Sequence, residues 1–268
     1  NVGKSSLLNK MLGQKIAIVS SKPQTTRTKI MGVLTKGETQ LVFTDTPGFH
    51  KAHNKLGEKM NEAVGDTVGG VDACLFLAEP RGELNEQELQ LLEMFKKQKM
   101  PVILAINKID MINDKEELFK RIVYLTSFYD FTAVVPVSAT EGDHVDELID
   151  ELDKLAFESP HFFPDDTLTD QPERVLAAEI IREKILRLMD KEIPHGIAVA
   201  VEKMRERDDK DILDIDATIY CERESHKGMV IGKNGSMLKK VSTYARQDLE
   251  RFFGTKCSVK LWVKVKED

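Results

Sequence analysis

Through the first half of the chain, short apolar runs alternate with amphipathic stretches of helical period. Residues 39–44, 73–78, 102–106 and 133–137 read as strands, and the later ones are apolar at nearly every position, the pattern of strands buried on both faces. Residues 7–12 continue a helix opened just before them, and 55–68, 85–97, 115–127 and 145–154 read as amphipathic helices. Strand and helix in alternation predict an α/β domain with a doubly wound, mostly parallel sheet and helices on both faces. Such sheets bind ligands beyond the carboxyl ends of their strands.

Between residues 157 and 172 the periodicity stops. Pro160, Pro164 and Pro172 sit in a Ser/Asp/Thr mixture, so 159–172 is expected to be a linker between a domain over 1–158 and a smaller one over 173–268. The second half predicts a helix at 173–190, long strands at 197–205 and 212–221, a turn, a helix at 236–253 and a final strand at 257–265. That order describes an α+β domain. In its first helix Val175, Ala178, Ile181, Ile185 and Leu188 fall at helical spacing, which packing alone explains. There is no internal repeat and no low-complexity segment.

The length of 268 residues suits two domains. A hydrophobic share of 41% with 31% charged residues fits a globular protein, and no apolar run approaches the ~18 residues of a membrane span. Cys74, Cys221 and Cys257 lie far apart without metal-ligand or redox spacing and read as buried thiols of a reducing compartment, so a cytoplasmic protein is expected. The chain opens at Asn1-Val2-Gly3-Lys4-Ser5 without an apolar signal segment and as if inside a motif, so a strand and a further glycine are expected upstream. The net charge of −6 hides a local asymmetry: from Lys227 to Lys266 there are ten basic residues against two acidic ones, Asp248 and Glu250. That segment looks built to meet an anion.

A phosphate-binding loop needs glycine for a tight turn, backbone N–H groups aimed at the phosphates, a lysine on the β- and γ-phosphates and a hydroxyl for Mg²⁺. Gly3, Lys4 and Ser5 supply the end of that pattern, with Lys4 as the phosphate lysine and Ser5 as the magnesium ligand. Asp45-Thr46-Pro47-Gly48 follows a strand, where the aspartate can reach a magnesium-bound water and the Gly48 N–H the γ-phosphate; alone it would read equally well as a plain turn. Asn107-Lys108-Ile109-Asp110 follows the strongest buried strand. A carboxylate there can accept both N1–H and the exocyclic amine of guanine, a donor pair adenine lacks, which makes Asp110 the base-selecting residue. Ser138 and Ala139 end the next strand and can buttress the base through backbone N–H groups. Each element is weak alone, but their order along one compact domain leaves little room for coincidence. Between the first two, Gln24-Thr25-Thr26-Arg27 is placed as a γ-phosphate-sensing loop would be, and either Thr25 or Thr26 could meet Mg²⁺. His50 and His53 sit three apart without a third ligand, and no metal role is assigned to them.

Asn1-Val2-Gly3-Lys4-Ser5-Ser6, Pro23-Gln24-Thr25-Thr26-Arg27 and Asp45-Thr46-Pro47-Gly48-Phe49-His50 resemble the Era family of GTPases, and the resemblance covers essentially the whole chain. It implies a P-loop GTPase domain followed by a type II KH domain, with GTP or GDP and Mg²⁺ as ligands. Asn1, Val2, Gly3, Lys4, Ser5, Ser6, Asp45, Thr46, Pro47, Gly48, Phe49, Asn107, Lys108, Ile109, Asp110, Ser138 and Ala139 would hold the nucleotide, with Lys4, Thr25, Thr26 and Gly48 serving the chemistry. In relatives with this loop the asparagine equivalent to Asn1 helps hold a potassium ion, so K⁺ joins the expected cofactors. Phe49 follows Gly48 where many GTPases carry a glutamine that orients the attacking water; a phenyl ring cannot, which predicts slow intrinsic hydrolysis.

Val230-Ile231-Gly232-Lys233-Asn234-Gly235 opens the basic segment before a helix. The KH loop is Gly-x-x-Gly because a Cβ would block close approach of the nucleic-acid backbone, while an adjacent groove, apolar on one side, reads about four single-stranded nucleotides. Lys227, Ile231, Gly232, Lys233, Asn234, Gly235, Lys239 and Lys240 are the expected RNA contacts, with Met229, Val230 and Leu238 shared between groove and core. The resemblance implies the 3′ end of 16S ribosomal RNA as ligand, assembly of the small (30S) ribosomal subunit as the role, a monomer, and peripheral contact with the inner face of the cell membrane. The basic face could meet anionic lipid or RNA and is assigned to RNA. A constitutive RNA-binding or scaffold protein with an inert nucleotide domain is the alternative to a GTP-dependent switch.

Overall fold

The structure is a computed structural model that describes residues 2–17, 19, 30–45, 70–189, 196–208 and 210–266. Two compact units emerge, one of Asn1–Ile16 with Thr26–Asp170 and one of Ala17–Thr25 with Gln171–Asp268.

In the first unit, β3 (Cys74–Ala78), β4 (Val102–Ile106) and β5 (Ala133–Pro136) form a parallel sheet in that order. Every residue of β4 is fully buried, as its unbroken apolar run requires of a central strand with both faces covered. Helix α1 is Lys4–Leu12, and β1 (Ile30–Lys36) and β2 (Thr39–Asp45) form an antiparallel hairpin. Helix α2 (Glu86–Gln98) starts at a reciprocal cap: Asn85 Oδ1 accepts from the Glu88 N–H at 2.9 Å, and the Glu88 carboxylate accepts from the Asn85 N–H at 2.8 Å. It then buries Leu92 and Phe95. Helix α3 (Lys115–Thr126) starts at Asp114, and α4 (Val145–Asp153) buries Val145, Leu148, Ile149 and Leu152, one face of a helix by spacing. The helix expected over 55–68 lies outside the described residues.

The second unit stacks three helices on one face of a mixed sheet. Helix α5 (Glu173–Leu188) precedes β6 (Ile197–Arg207) and β7 (Lys210–Cys221), which pair antiparallel; α6 (Glu224–Ile231) and α7 (Ser236–Phe253) follow; β8 (Lys256–Val265) returns parallel to β7. Ile181 and Ile185 of α5, Ile215, Ala217 and Ile219 of β7, Val230 of α6 and Val241, Ala245 and Leu249 of α7 form its core.

Three expectations need correction, and one strand was not foreseen. The stretch read as a linker is held against the β1–β2 hairpin: Val33 N–H donates to Leu168 O at 2.9 Å, Thr169 Oγ1 to Met31 O at 2.7 Å, and Gln40 and Phe163 exchange bonds of 2.9 and 3.0 Å. Prolines kept it out of regular structure, yet its polar backbone answers the open edge of β1. Ala17 and Val19 belong with the second unit, where Val19 N–H donates to Glu183 at 3.2 Å and Arg187 Nε donates to Val19 O at 3.0 Å. Strand β1 was not foreseen; its Gly32 breaks the β pattern because a Cβ there would lie 2.8 Å from Leu12 Cδ1. The segment expected as a turn before Gly232 is helix α6, whose only buried residue is Val230.

Candidate nucleotide and RNA sites

The nucleotide site is assembled around Asn107, 2% exposed at the carboxyl end of β4. Its N–H donates to Ala78 O of β3 at 2.9 Å, its Nδ2 to Val2 O at 2.8 Å, and its Oδ1 accepts from the Ala139 N–H at 3.0 Å. One buried amide thus joins the phosphate loop, the base loop and the Ser138-Ala139 turn, and uses both its donor and its acceptor to do so. Gly3 takes the left-handed φ of 94°, and a Cβ on it would collide with the Asn107 amide, so both backbone angle and space demand glycine.

Lys4, Ser5 and Ser6 form the first turn of α1, ahead of the first helical hydrogen bond, from Leu7 N–H to Gly3 O at 2.9 Å. The amides of that turn and the helix dipole favour an anion at this end. Asp45 is the last residue of β2. A hydroxyl at Ser5 and a carboxylate at Asp45 are the oxygen donors that a hard cation such as Mg²⁺ takes, so the donor set fits the ion. Asn1, Thr25, Thr26, Thr46, Pro47, Gly48 and Phe49, like His50 and His53, lie outside the described residues.

At the base end, Asp110 opens to solvent within the short 3-10 turn Ile109–Met111 and accepts from Ser138 Oγ at 2.6 Å. Ser138 is fully buried, and its Oγ also accepts from the Glu141 N–H at 3.1 Å. With its oxygen already accepting from Glu141, the Ser138 hydroxyl gives its proton to Asp110 Oδ1, and the carboxylate keeps acceptor capacity for a base. Ile109 N–H donates to Val137 O at 3.2 Å, which fixes the base loop to the strand end beside it. Lys108, at a left-handed φ of 68°, forms an ion pair with Glu79. Sequence reasoning missed Glu79. Its place one residue beyond β3, at the same sheet edge as Asn107, was the available signal. Arg121 in turn holds that loop by donating to Glu79 O at 2.9 Å and Gly82 O at 2.5 Å.

In the second unit, α6 and α7 flank Gly232-Lys233-Asn234-Gly235. Gly232 (φ 72°), Asn234 (φ 52°) and Gly235 (φ 74°) all have positive φ. The two glycines have different reasons. A Cβ on Gly232 would lie 2.7 Å from Met237 Cβ and 2.9 Å from Met237 N, whereas one on Gly235 would meet nothing within 4 Å. Gly232 lets the helices meet, and Gly235 leaves open ground beside Lys233 and Asn234, which are exposed, as are Lys239 and Lys240. Lys227 is 3.3 Å from Glu224. Of the shared apolar residues, Val230 is buried, Ile231 half-buried, Leu238 packed on the core and Met229 39% exposed.

Fold and sites together define a phosphate-loop, guanine-selective α/β domain followed by a KH domain. The chain is 49% identical to GTPase Era of Clostridioides difficile (strain 630) over all of its 268 residues and 90% of that protein, and 48% identical to GTPase Era of Clostridium tetani (strain Massachusetts / E88), again over 100% and 90%. The chain belongs to the Era GTPase family. Residues 1–108 match the family described as 50S ribosome-binding GTPase, and 192–268 match the KH domain. Two solved structures superpose with a TM-score of 0.93 at 37% identity, each over 100% of this chain and 91% of the other: Aquifex aeolicus Era bound to GDP.AlF4⁻, and Era in complex with MgGDPNP and nucleotides 1506–1542 of 16S ribosomal RNA.

Proposed function

We propose that this chain is a GTP-hydrolysing switch whose nucleotide state sets its hold on the single-stranded 3′ end of 16S ribosomal RNA during assembly of the small subunit. The observation that carries the reading is the Asn107 junction, which fixes the phosphate end and the base end of one guanine nucleotide site to each other. Asp110, oriented by Ser138, selects guanine. Lys4 and the first-turn amides of α1 receive the phosphates and neutralise charge that shifts toward the leaving group. Magnesium, when bound with GTP through Ser5 and a water near Asp45, supplies further neutralisation of the β- and γ-phosphates. Thr25, Thr26 and the Gly48 N–H would sense the γ-phosphate, Asn1 would hold potassium beside it, and Phe49 leaves the attacking water without an orienting side chain, so turnover is slow. Relatives' complexes with GDP.AlF4⁻, MgGDPNP and ribosomal RNA support the nucleotide, magnesium and RNA parts of this reading.

The RNA enters across Gly232-Lys233-Asn234-Gly235, its backbone close to the glycines and its charge met by Lys227, Lys233, Lys239 and Lys240, with Ile231 on the groove's apolar side. No described helix is long and apolar enough to cross a membrane. A monomer acting on the 30S subunit in the cytoplasm, with peripheral membrane contact through basic side chains, completes the proposal. The test is the anisotropy of a labelled oligonucleotide of the 16S 3′ end, titrated with the chain in GTP analogue and in GDP. A several-fold difference in affinity is expected. Equal affinities would replace the switch with a constitutive RNA binder.

A further inference from the structure

The open face of the second unit's sheet, opposite its three helices, carries a feature that the Gly-x-x-Gly loop does not use. Along β7 the residues Leu213, Ile215, Ala217, Ile219 and Cys221 are buried in the core, so Thr218 and Tyr220 point to the other face. Parallel register sets Trp262 of β8 beside Thr218, and Lys264 beside Tyr220, while Lys260 lies beside Asp216. Trp262 is the sole tryptophan of the chain and is 46% exposed. The same row continues into β6 with Ala200; Thr218 between them is buried, and Trp262 at the sheet edge is the exposed member of the row.

Carboxylates and lysines share this face, and lysines prevail toward the end of β8. Asp214 is already answered by Arg207 through bonds of 2.7 and 2.8 Å, and the guanidinium holds its carboxyl down at about 2. Asp216 lies in register between Lys203 and Lys260, and Glu202 accepts from the Tyr220 hydroxyl at 3.2 Å. Lys264 and the following Lys266 are exposed and form no ion pair among the described residues. Lysines on an edge strand discourage strand-to-strand aggregation, which accounts for the lysines alone. It does not account for a large apolar ring placed between them in water, at the cost of leaving its surface unburied. Flat aromatic rings on a sheet, flanked by cations, are what successive nucleobases and phosphates require.

We propose that Trp262, flanked by Lys260, Lys264 and Lys266, forms a second single-stranded RNA contact, a stacking platform on the sheet face distinct from the Gly-x-x-Gly groove. The inference rests on the RNA-binding reading and adds a site to it. Trp262 is its own reporter, because no other indole contributes to the emission. The full chain is titrated with labelled single-stranded RNA of mixed sequence while anisotropy and tryptophan emission are followed together. Emission is expected to be quenched in step with binding, and to be quenched still in the Lys233→Glu, Asn234→Asp double variant, which blocks the loop. Trp262→Ala should weaken binding roughly tenfold without altering GTP hydrolysis. Lys264→Glu with Lys266→Glu should lower the slope of log affinity against log salt by about 1.4. Binding with unchanged emission, or quenching that disappears with the loop variant, would overturn the platform while leaving the loop reading intact. Absence of any anisotropy change would remove both. Anionic phosphatidylglycerol vesicles form the competing arm: a blue shift with vesicles and no quenching by RNA would assign the face to a membrane surface and overturn the proposal.

Discussion

The proposed nucleotide site and the proposed RNA loop would solve recognition in opposite ways. The first relies on side chains fixed by buried hydrogen bonds: Asn107 satisfies two loops at once, and Ser138 sets the angle of Asp110. The second relies on missing side chains, with Gly232 and Gly235 at positive φ and lysines at large on the surface. A guanine ring offers a fixed donor pair and rewards a rigid acceptor, whereas an RNA backbone offers charge and a contour and rewards close approach. Precision is therefore stored in polar contacts in one unit and in backbone shape in the other.

Substitutions sharpen that contrast. The largest effect is expected from Asn107→Ala, which strands the Val2 carbonyl and the Ala139 N–H away from a partner, a cost of about 3 kcal/mol or more. Loss of mantGDP binding together with a lowered melting temperature of the first unit would be the result, while RNA affinity in the absence of nucleotide stays unchanged. Asp110→Asn should leave the fold intact and weaken GDP by roughly a hundredfold, since a charged acceptor is replaced by one that presents an N–H to an N–H. Competition with xanthosine diphosphate, which carries an oxygen in place of the amine, should recover part of that loss; equal loss for both bases would mean that Asp110 does not read the base.

The two glycines test the other half of the comparison. Gly232→Ala should cost roughly 1–3 kcal/mol of stability in the second unit, because positive φ and the Met237 backbone both oppose a methyl group. Gly235→Ala should cost about 1 kcal/mol, from φ alone, yet reduce RNA affinity as strongly as Gly232→Ala. Thermal melts set beside anisotropy separate the two, and equal melting temperatures would break the assignment of packing to one and access to the other.

The smallest effect concerns the strip over the β1–β2 hairpin. His161 binds Glu38 O at 2.9 Å and Asp165 at 2.7 Å, and the carbonyl first, then the carboxylate, raises its pKa. A raised folded pKa means that the contribution is fully present below the histidine's ordinary value near 6.5 and is lost as pH rises through the folded value. Proteolysis near residue 161 should therefore quicken modestly on passing from pH 6 to pH 8, and His161→Gln should flatten that dependence.

Much of this architecture was legible in one dimension. The fully apolar run of β4 and the ordered motifs at Gly3, Asp45, Asn107 and Ser138 each announce themselves within a few residues, since burial period and turn chemistry are local properties. The α6 helix was not legible, because Gly228 and its polar neighbours mask a segment that touches the core at little more than Val230. Nor was the burial of Arg182, Glu183 and Lys184 in α5, a helix whose apolar spacing suggests an ordinary outer face. Arg182 pairs within the helix, with Glu179, but Lys184 pairs with Asp248 of α7 and Glu183 accepts from the Val19 N–H, both distant in sequence.

The sequence by itself determined which ligand classes the chain is built for, because a phosphate loop, a guanine-reading carboxylate and a Gly-x-x-Gly turn are each short runs of chemistry. Tertiary structure alone decided how those runs are held. That Asn107 would reach back to Val2, that Glu79 would hold Lys108, that residues 161–170 would close on β1 and that Trp262 would stand exposed beside Thr218 are consequences of strand register and chain closure. The physical reason is that a side chain's valence is written at its own position, but the partner that satisfies it is chosen only when distant segments are brought within hydrogen-bond range.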